Sequence, residues 1–469
     1  LAVEAASRAA LARGNWRLIQ ADQKAARSAW IERWVVGFSG LLLVLMLLYV
    51  LIGNKPYVHE VALDPLTGAT EMSPINRYIW LLLGAMAVPI LWMRRAVLPA
   101  AALRLWPLIL LLGWFALTTC WALDPAASNR RLLLYGINVV VCIAVATGLR
   151  TLQRTHAAMA VACAIVILID LFSWILMPGR SMTDLGLAAI HSHKNTLGAV
   201  MLLSGFICGA YAWGQSGWRG RLFWWSMTAF AMALLLASQS KTSIGIFFGL
   251  AAATPLLLLL LSQRPVVMLS AVSLGVMTLL SGVFGWLAWC ELSGLDPLTP
   301  FRGVTFTQRT DVWAFVYQQF TLQPLKGWGF GSFWDVDPRV QPSLQTDYWF
   351  SRPDAFTNEA HNGYLDLAAT TGSVGLIGAL FLLGRWMSQG VVRIRNEALA
   401  PLRKGRGALA AATVMGVFPL LFFGHNWMES SYFTANALFG TIILVIGTSL
   451  DLSATSLRSQ PAAGASTTG

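Results

Sequence analysis

Long apolar runs follow one another along almost the whole chain, separated by short polar stretches. Runs such as 34–52 and 222–237 need a bilayer or a very large core to cover them, since about 20 apolar residues span the hydrocarbon of a membrane. Only 12% of the 469 residues are charged and 56% are hydrophobic, against about 25% charged in an average soluble domain. An ordinary soluble enzyme is excluded, and so is a disordered chain, which needs low hydrophobicity. About twelve helices are expected, near 34–53, 77–93, 104–121, 132–149, 157–177, 195–214, 222–238, 242–262, 266–289, 367–386, 407–424 and 432–450. The runs are too long for barrel strands and lack their alternation. The expected fold class is all-α, a polytopic membrane protein with one large external loop containing short helices.

Charge sets the orientation. With the N-terminus inside, 21 of the 33 Lys and Arg residues fall in inner loops, and most acids fall outside. Basic residues gather on the cytoplasmic side of membrane proteins. Both termini are therefore expected in the cytoplasm, and the net charge of +12 needs no nucleic acid. Residues 1–33 mix charges with Ala and Trp and read as a cytoplasmic amphipathic segment rather than a cleavable leader. Spans one to nine occupy 34–289, the large external loop 290–366 and spans ten to twelve 367–450. Residues 451–469 read as a disordered cytoplasmic tail. Five cysteines with no CxxC or Cys/His cluster argue against a disulfide framework or a structural zinc site.

Several cations stand at external span ends, against the charge rule: Arg180, His191, His193, Lys194 and Lys241, with Arg302 and Arg309 in the large loop. Each taken singly has a bland reading, as a snorkelling anchor or a partner of Asp184, Asp296 or Asp311. As a set they suit a dianionic ligand at the membrane surface. Arg309 falls in the first turn of an expected helix over 308–320, with Thr305 or Thr307 as caps. The helix dipole disfavours a cation there unless an anion joins it or Asp311 pairs with it. The apolar spacing of that helix suits one lying on the membrane surface. His361 falls where the loop re-enters the membrane. A helix N-terminus would lower its pKa and leave a neutral imidazole able to accept a proton; capping is the alternative. Glu359 is placed to orient that ring or to act as the base itself. Asp170 and Asp366 are acids in apolar surroundings, which by default mark proton or ion paths. Asp335 and Asp337 come nearest to a metal-binding pair, in a Pro-bounded turn.

Three segments together carry a family resemblance. They are Arg180 with His191-Ser192-His193-Lys194-Asn195-Thr196-Leu197-Gly198; Arg309-Thr310-Asp311-Val312-Trp313 with Gly327-Trp328-Gly329-Phe330-Gly331; and His361-Asn362-Gly363-Tyr364-Leu365. The chain resembles the O-antigen ligase/polymerase superfamily of bacterial membrane glycosyltransferases, and most of all its lipopolysaccharide O-antigen ligases. The likeness covers about 175–385 and extends to the twelve-span layout with one periplasmic loop. It implies transfer of a glycan from undecaprenyl diphosphate to lipid A–core oligosaccharide at the periplasmic face of the inner membrane. It implies no metal, no nucleotide and no other cofactor. Carried over by motif, His361, Arg309 and Arg180 are the expected catalytic residues. Arg302, Lys194, Lys241, His193, Asn195 and Asn362 are the expected substrate-binding residues. Lys194 departs from the family, in which many members have Pro at that position; Lys241 stands where Arg is common. An O-antigen polymerase or a protein O-oligosaccharyltransferase is the alternative within the superfamily. A lipid or glycan transporter is the alternative outside it, and would need charges along a mid-membrane path.

Overall fold

In hydrocarbon every backbone N–H and C=O must be paired within the protein, so apolar runs of this length fold as helices. A computed structural model describes residues 2–58, 74–296, 309–352, 357–400, 405–434 and 437–453, with the side chains of 2–26 and 74 outside the description. The helices are α1 (Ala2–Ile52), α2 (Pro74–Met93), α3 (Leu98–Arg104), α4 (Trp106–Thr118), α5 (Pro125–Leu149) and α6 (Leu152–Leu176). A four-residue turn, α7 (Pro178–Ser181), leads into a hairpin of β1 (Met182–Thr183) and β2 (Gly186–Leu187). Then come α8 (Lys194–Gly214), α9 (Trp218–Ala237), α10 (Lys241–Leu261) and α11 (Pro265–Ser293). The external α12 (Arg309–Leu322) is followed by α13 (Gly363–Ala398), α14 (Arg406–His425) and α15 (Leu438–Leu452).

Ten of these helices are long and apolar enough to cross a membrane. The third expected span, 104–121, begins at a break: residues 95–104 and 106–121 meet at an angle of 79°. Pro107 sits in the first turn after the break, where its missing N–H costs nothing. The last expected span is α15, only 15 residues long, or about 22 Å at 1.5 Å per residue. It is buried along its whole length from Phe439 to Leu452, so it sits inside the bundle rather than against lipid. The central core joins α1, α5, α6, α8, α14 and α15. The N-terminal segment is helical and leads into the first span as the 51-residue α1.

Charged contacts gather at one end of the bundle. Arg94 meets Glu32 at 2.8 Å, Arg150 lies 3.6 Å from the same carboxylate, and Arg385 meets Asp451 at 2.7 Å. All five residues fall in inner loops of the expected topology. The opposite, outer end carries the 309–362 region, α7 and the hairpin, and the starts of α2, α5, α8, α10 and α13.

The apolar face of α12 does not rest on a membrane. Val312, Phe315 and Val316 are buried with Phe333, Trp334 and Phe350 in a small external core. That core is fastened to α13 where the helix is interrupted at Gly372 (φ 68°, ψ −177°). The interruption frees two carbonyls, and the glycine-rich segment fills them: Trp328 N–H donates to Ala369 O at 2.9 Å and Gly329 N–H to Thr370 O at 2.8 Å. Ser373 N–H donates to Pro324 O at 2.8 Å. Arg131 of α5 holds the next turn by donating to the carbonyls of Gly331, Trp334 and Asp335 at 2.6, 2.7 and 2.7 Å.

Candidate active site

His361 adopts φ +50°, a left-handed conformation that a residue with a side chain takes only when its surroundings force it. Both flanks are held. On one side Ala360 N–H donates to the Asp366 carboxylate at 3.1 and 3.2 Å, which also accepts from Trp334 Nε1 at 2.7 Å and from the Ser430 hydroxyl. On the other side Asn362 N–H donates to Ser430 Oγ at 3.1 Å and Gly363 N–H to Asn426 O at 2.9 Å. The Asn362 side chain caps α13, accepting from Tyr364 N–H and Leu365 N–H at 3.1 and 3.2 Å. Such a cap satisfies helix donors that otherwise lack partners. Asn362, expected to bind substrate, therefore spends its carbonyl on positioning its neighbour. Asp366 serves the same purpose and lies on no visible mid-membrane path.

The imidazole stands among charges. Its Nδ1 lies 2.7 Å from Glu359 Oε1 and 3.6 Å from Glu429 Oε2. Arg309, in the first turn of α12, reaches the same Glu429 from the other side, with Nη2 3.5 Å from Oε1 and Nη1 donating to Met428 O at 2.6 Å. Glu429 thus lies between two cations. The alternative Arg309–Asp311 pair does not form; Asp311 accepts from Trp349 Nε1 at 3.0 Å. Thr305, Thr307 and Arg302 fall outside the described residues.

These surroundings reverse one expectation. Burial taken alone would lower the His361 pKa, and it is the largest single influence. The Glu359 and Glu429 carboxylates together outweigh it, and the pKa rises to about 9. His361 is an imidazolium at neutral pH, not the neutral base that the helix start suggested. On Glu429, burial pushes upward but His361 and Arg309 prevail, holding the carboxylate below its ordinary range. Glu429 is the carboxylate held in acceptor form.

The ligand atoms of Glu359, His361 and Glu429 lie within 4.8 Å of one another, close enough for a divalent cation. A metal there would have to displace the proton from His361 and share Glu429 with Arg309, so the donor set fits a metal poorly. The Asp335 and Asp337 pair is otherwise engaged: Asp337 pairs with Arg339 and Asp335 accepts from Asn358 at 3.2 Å.

The remaining expected cations form a second group on the same outer face. The starts of α8 and α10 pack together through Gly198, whose α-carbon leaves room for Ser240. Lys194 and Lys241 are the first residues of those helices. Lys194 Nζ donates to Leu185 O at 3.0 Å in the hairpin. His193 Nδ1 accepts from Asn195 N–H at 3.2 Å and caps α8; burial and the Lys194 charge lower its pKa, which suits an unprotonated acceptor. Arg180 is exposed in α7. His191 is fully buried and paired with Asp170 at 3.0 Å, an anchor for the segment leading into α8. In place of one gathering of all the cations, Arg309 and His361 share a carboxylate, and Lys194 holds a carbonyl of its own group.

The sequence reading missed Glu429. It stands in a short polar stretch, His425-Asn426-Trp427-Met428-Glu429-Ser430, between the last two apolar runs. An acid on the outer side beside a histidine was the available signal. It also missed a cavity of about 640 Å3 on the outer side of α2, α5 and α13. Glu359, Asp366 and Ser430 line it, together with Arg77 and Arg130.

No curated protein matches the chain. Residues 227–380 match the family described as O-antigen ligase. The matched stretch runs from within α9 into α13 and includes Lys241, Arg309, Glu359, His361 and Asn362, whereas Arg180, Lys194 and Glu429 lie outside it. A many-helix membrane bundle thus carries an O-antigen ligase domain over 227–380, and the match supports membership of the O-antigen ligase/polymerase superfamily.

Proposed function

We propose that this enzyme transfers an O-antigen glycan from undecaprenyl diphosphate to a lipid A–core acceptor at the periplasmic face of the bacterial inner membrane. The observation that carries the reading is the Glu429 carboxylate lying between Arg309 and His361. Two fixed cations around one anion, at the end of a membrane bundle, suit a diphosphate that takes the carboxylate's place. As the anomeric C–O bond to the diphosphate breaks, negative charge grows on the departing group and the two cations stabilise it. Arg309 offers a planar fork matched to phosphate oxygens. Arg180, Arg302, Lys194, Lys241, His193 and Asn195 are assigned to holding the glycan and the lipid-linked phosphates.

The acceptor hydroxyl forms the new bond to the anomeric carbon and must lose its proton. Glu359 is the assigned acceptor of that proton, since His361 already carries one. Glu359 then releases that proton to solvent, because the imidazolium carries a hydrogen on both ring nitrogens and only donates. A single displacement of this kind inverts the anomeric centre.

Reconstitution with purified lipid-linked glycan and core acceptor tests the reading. Glu359→Gln is expected to lower kcat by about 10²–10⁴-fold, the usual range for a general base. Arg309→Gln is expected to cost about 10²–10³-fold, as losing one transition-state donor does. Turnover should persist in EDTA, and NMR of the product should show inverted configuration. Undiminished rates in Glu359→Gln and His361→Gln, or a product built on a second lipid-linked repeat rather than on the core, would overturn it.

A further inference from the structure

The 640 Å3 cavity has a composition that donor chemistry does not use. Its polar side holds Glu359, Asp335 and Asp366 with Arg77, Arg130 and Arg131; Arg131 is spent on three backbone carbonyls and Asp366 on the His361 flank, and the apolar side includes Leu81 of α2 and Leu133 of α5. Arg77 and Arg130 are exposed at the outer ends of α2 and α5. Leu81 and Leu133 are 48% and 64% exposed, so the apolar wall continues onto the lipid-facing surface of those helices. Arg309 and His361, the cations that share Glu429, are not among the lining residues. Glu359 belongs to both places: one oxygen touches the His361 ring and the side chain faces the cavity.

We propose that this cavity is the acceptor subsite and that Arg77 and Arg130 bind the phosphate groups of an anionic glycolipid. The inference rests on the transferase reading and adds where its second substrate lies. A group that takes the proton must face the attacking hydroxyl, and Glu359 faces this cavity. The departing diphosphate must lie against the cations on the far side of Glu359. Two guanidinium groups above a lipid-exposed apolar wall match a molecule with phosphorylated sugars above acyl chains. The tails run along the lipid-exposed face that Leu81 and Leu133 present, while the sugars extend inward to Glu359.

The test is direct binding to the purified full-length chain in detergent, with three probes: phosphorylated lipid A–core, the same material after phosphatase treatment, and undecaprenyl diphosphate without sugar. Wild type is expected to prefer the phosphorylated acceptor over the dephosphorylated one by at least about tenfold. Arg77→Gln/Arg130→Gln should abolish that preference and leave undecaprenyl diphosphate binding unchanged. Arg309→Gln should do the opposite. Arg77 and Arg130 are surface residues, so the double variant is expected to melt as wild type does; Arg130→Glu gives a second, stronger perturbation. If the double variant binds phosphorylated acceptor normally, or loses diphosphate binding to the same extent, the cavity is not an acceptor subsite although the transferase reading stands. If wild type binds neither lipid, the parent reading falls and takes this inference with it.

Discussion

Four side chains at the outer end of the bundle meet in one cluster, and two of them, His361 and Glu429, shift each other's pKa. His361 and Arg309 compete for Glu429, and Glu359 takes the remaining side of the imidazole. The pKa of His361 is raised to about 9, above the free value of about 6.5. A raised folded-state pKa contributes stability that is complete below about pH 6.5 and is lost as pH climbs through about 9. Wild type should therefore lose this contribution between those limits. In Glu429→Gln, with one of the two carboxylates gone, the His361 pKa should fall and the alkaline loss should start at lower pH. Thermal melts across pH 6–10, with NMR titration of the His361 ring, read both effects. A His361 that titrates at the same pH in both proteins would refute the assigned role of Glu429. Substituting His361 itself by Gln should remove the alkaline component altogether.

Much of the element layout was legible in the chain because one physical demand, pairing every backbone group in hydrocarbon, leaves helices as the solution for long apolar runs. The third and last runs show where that legibility ends. A break at Leu105 and a short helix buried on all sides both satisfy the same demand, and hydropathy does not distinguish them from plain spans. In α13 the chain again departs from regular helix, and here the cause lies elsewhere in the sequence. Gly327, Gly329 and Gly331 all take positive φ, and the segment they form replaces the helix's own donors at the Gly372 interruption. The Gly-Trp-Gly-Phe-Gly motif thus builds the platform on which α12 carries Arg309. Gly372→Ala would force a side chain into the Leu325 carbonyl and hold Ala at φ 68°, ψ −177°. Conformations of this kind cost about 1–3 kcal/mol before any clash is counted. The expected outcome is a drop in melting temperature with activity lost more steeply than stability, because α12 and the 358–362 segment share the disturbed platform. Equal melting temperatures and rates for Gly372→Ala and wild type would show that the interruption is incidental.

Across the whole molecule, the two ends differ in what their charges do. At one end Arg94, Arg150 and Arg385 close onto Glu32 and Asp451 and tie helices together. At the other end charges also line open space: Arg77, Arg130 and Glu359 face the large cavity. A transferase working on two lipid-borne substrates needs this division, because both must reach one centre from the plane of the membrane. Carboxylates and cations shared between neighbouring helices were beyond sequence reasoning, since Glu429 reaches His361 only once α13 and α14 are packed. Which end faces the periplasm can be tested on the native chain. Four of the five cysteines are buried, and Cys120 alone is exposed. It lies at the end of the broken third span, beside Trp121, whose ring N–H donates to Lys326 O of the external region at 3.3 Å. A membrane-impermeant maleimide added to intact spheroplasts should therefore label the wild-type chain once, and Cys120→Ser should abolish the labelling. Modification that requires prior lysis would place the outer end in the cytoplasm. The catalytic groups would then lie on the side of the membrane away from the proposed substrates.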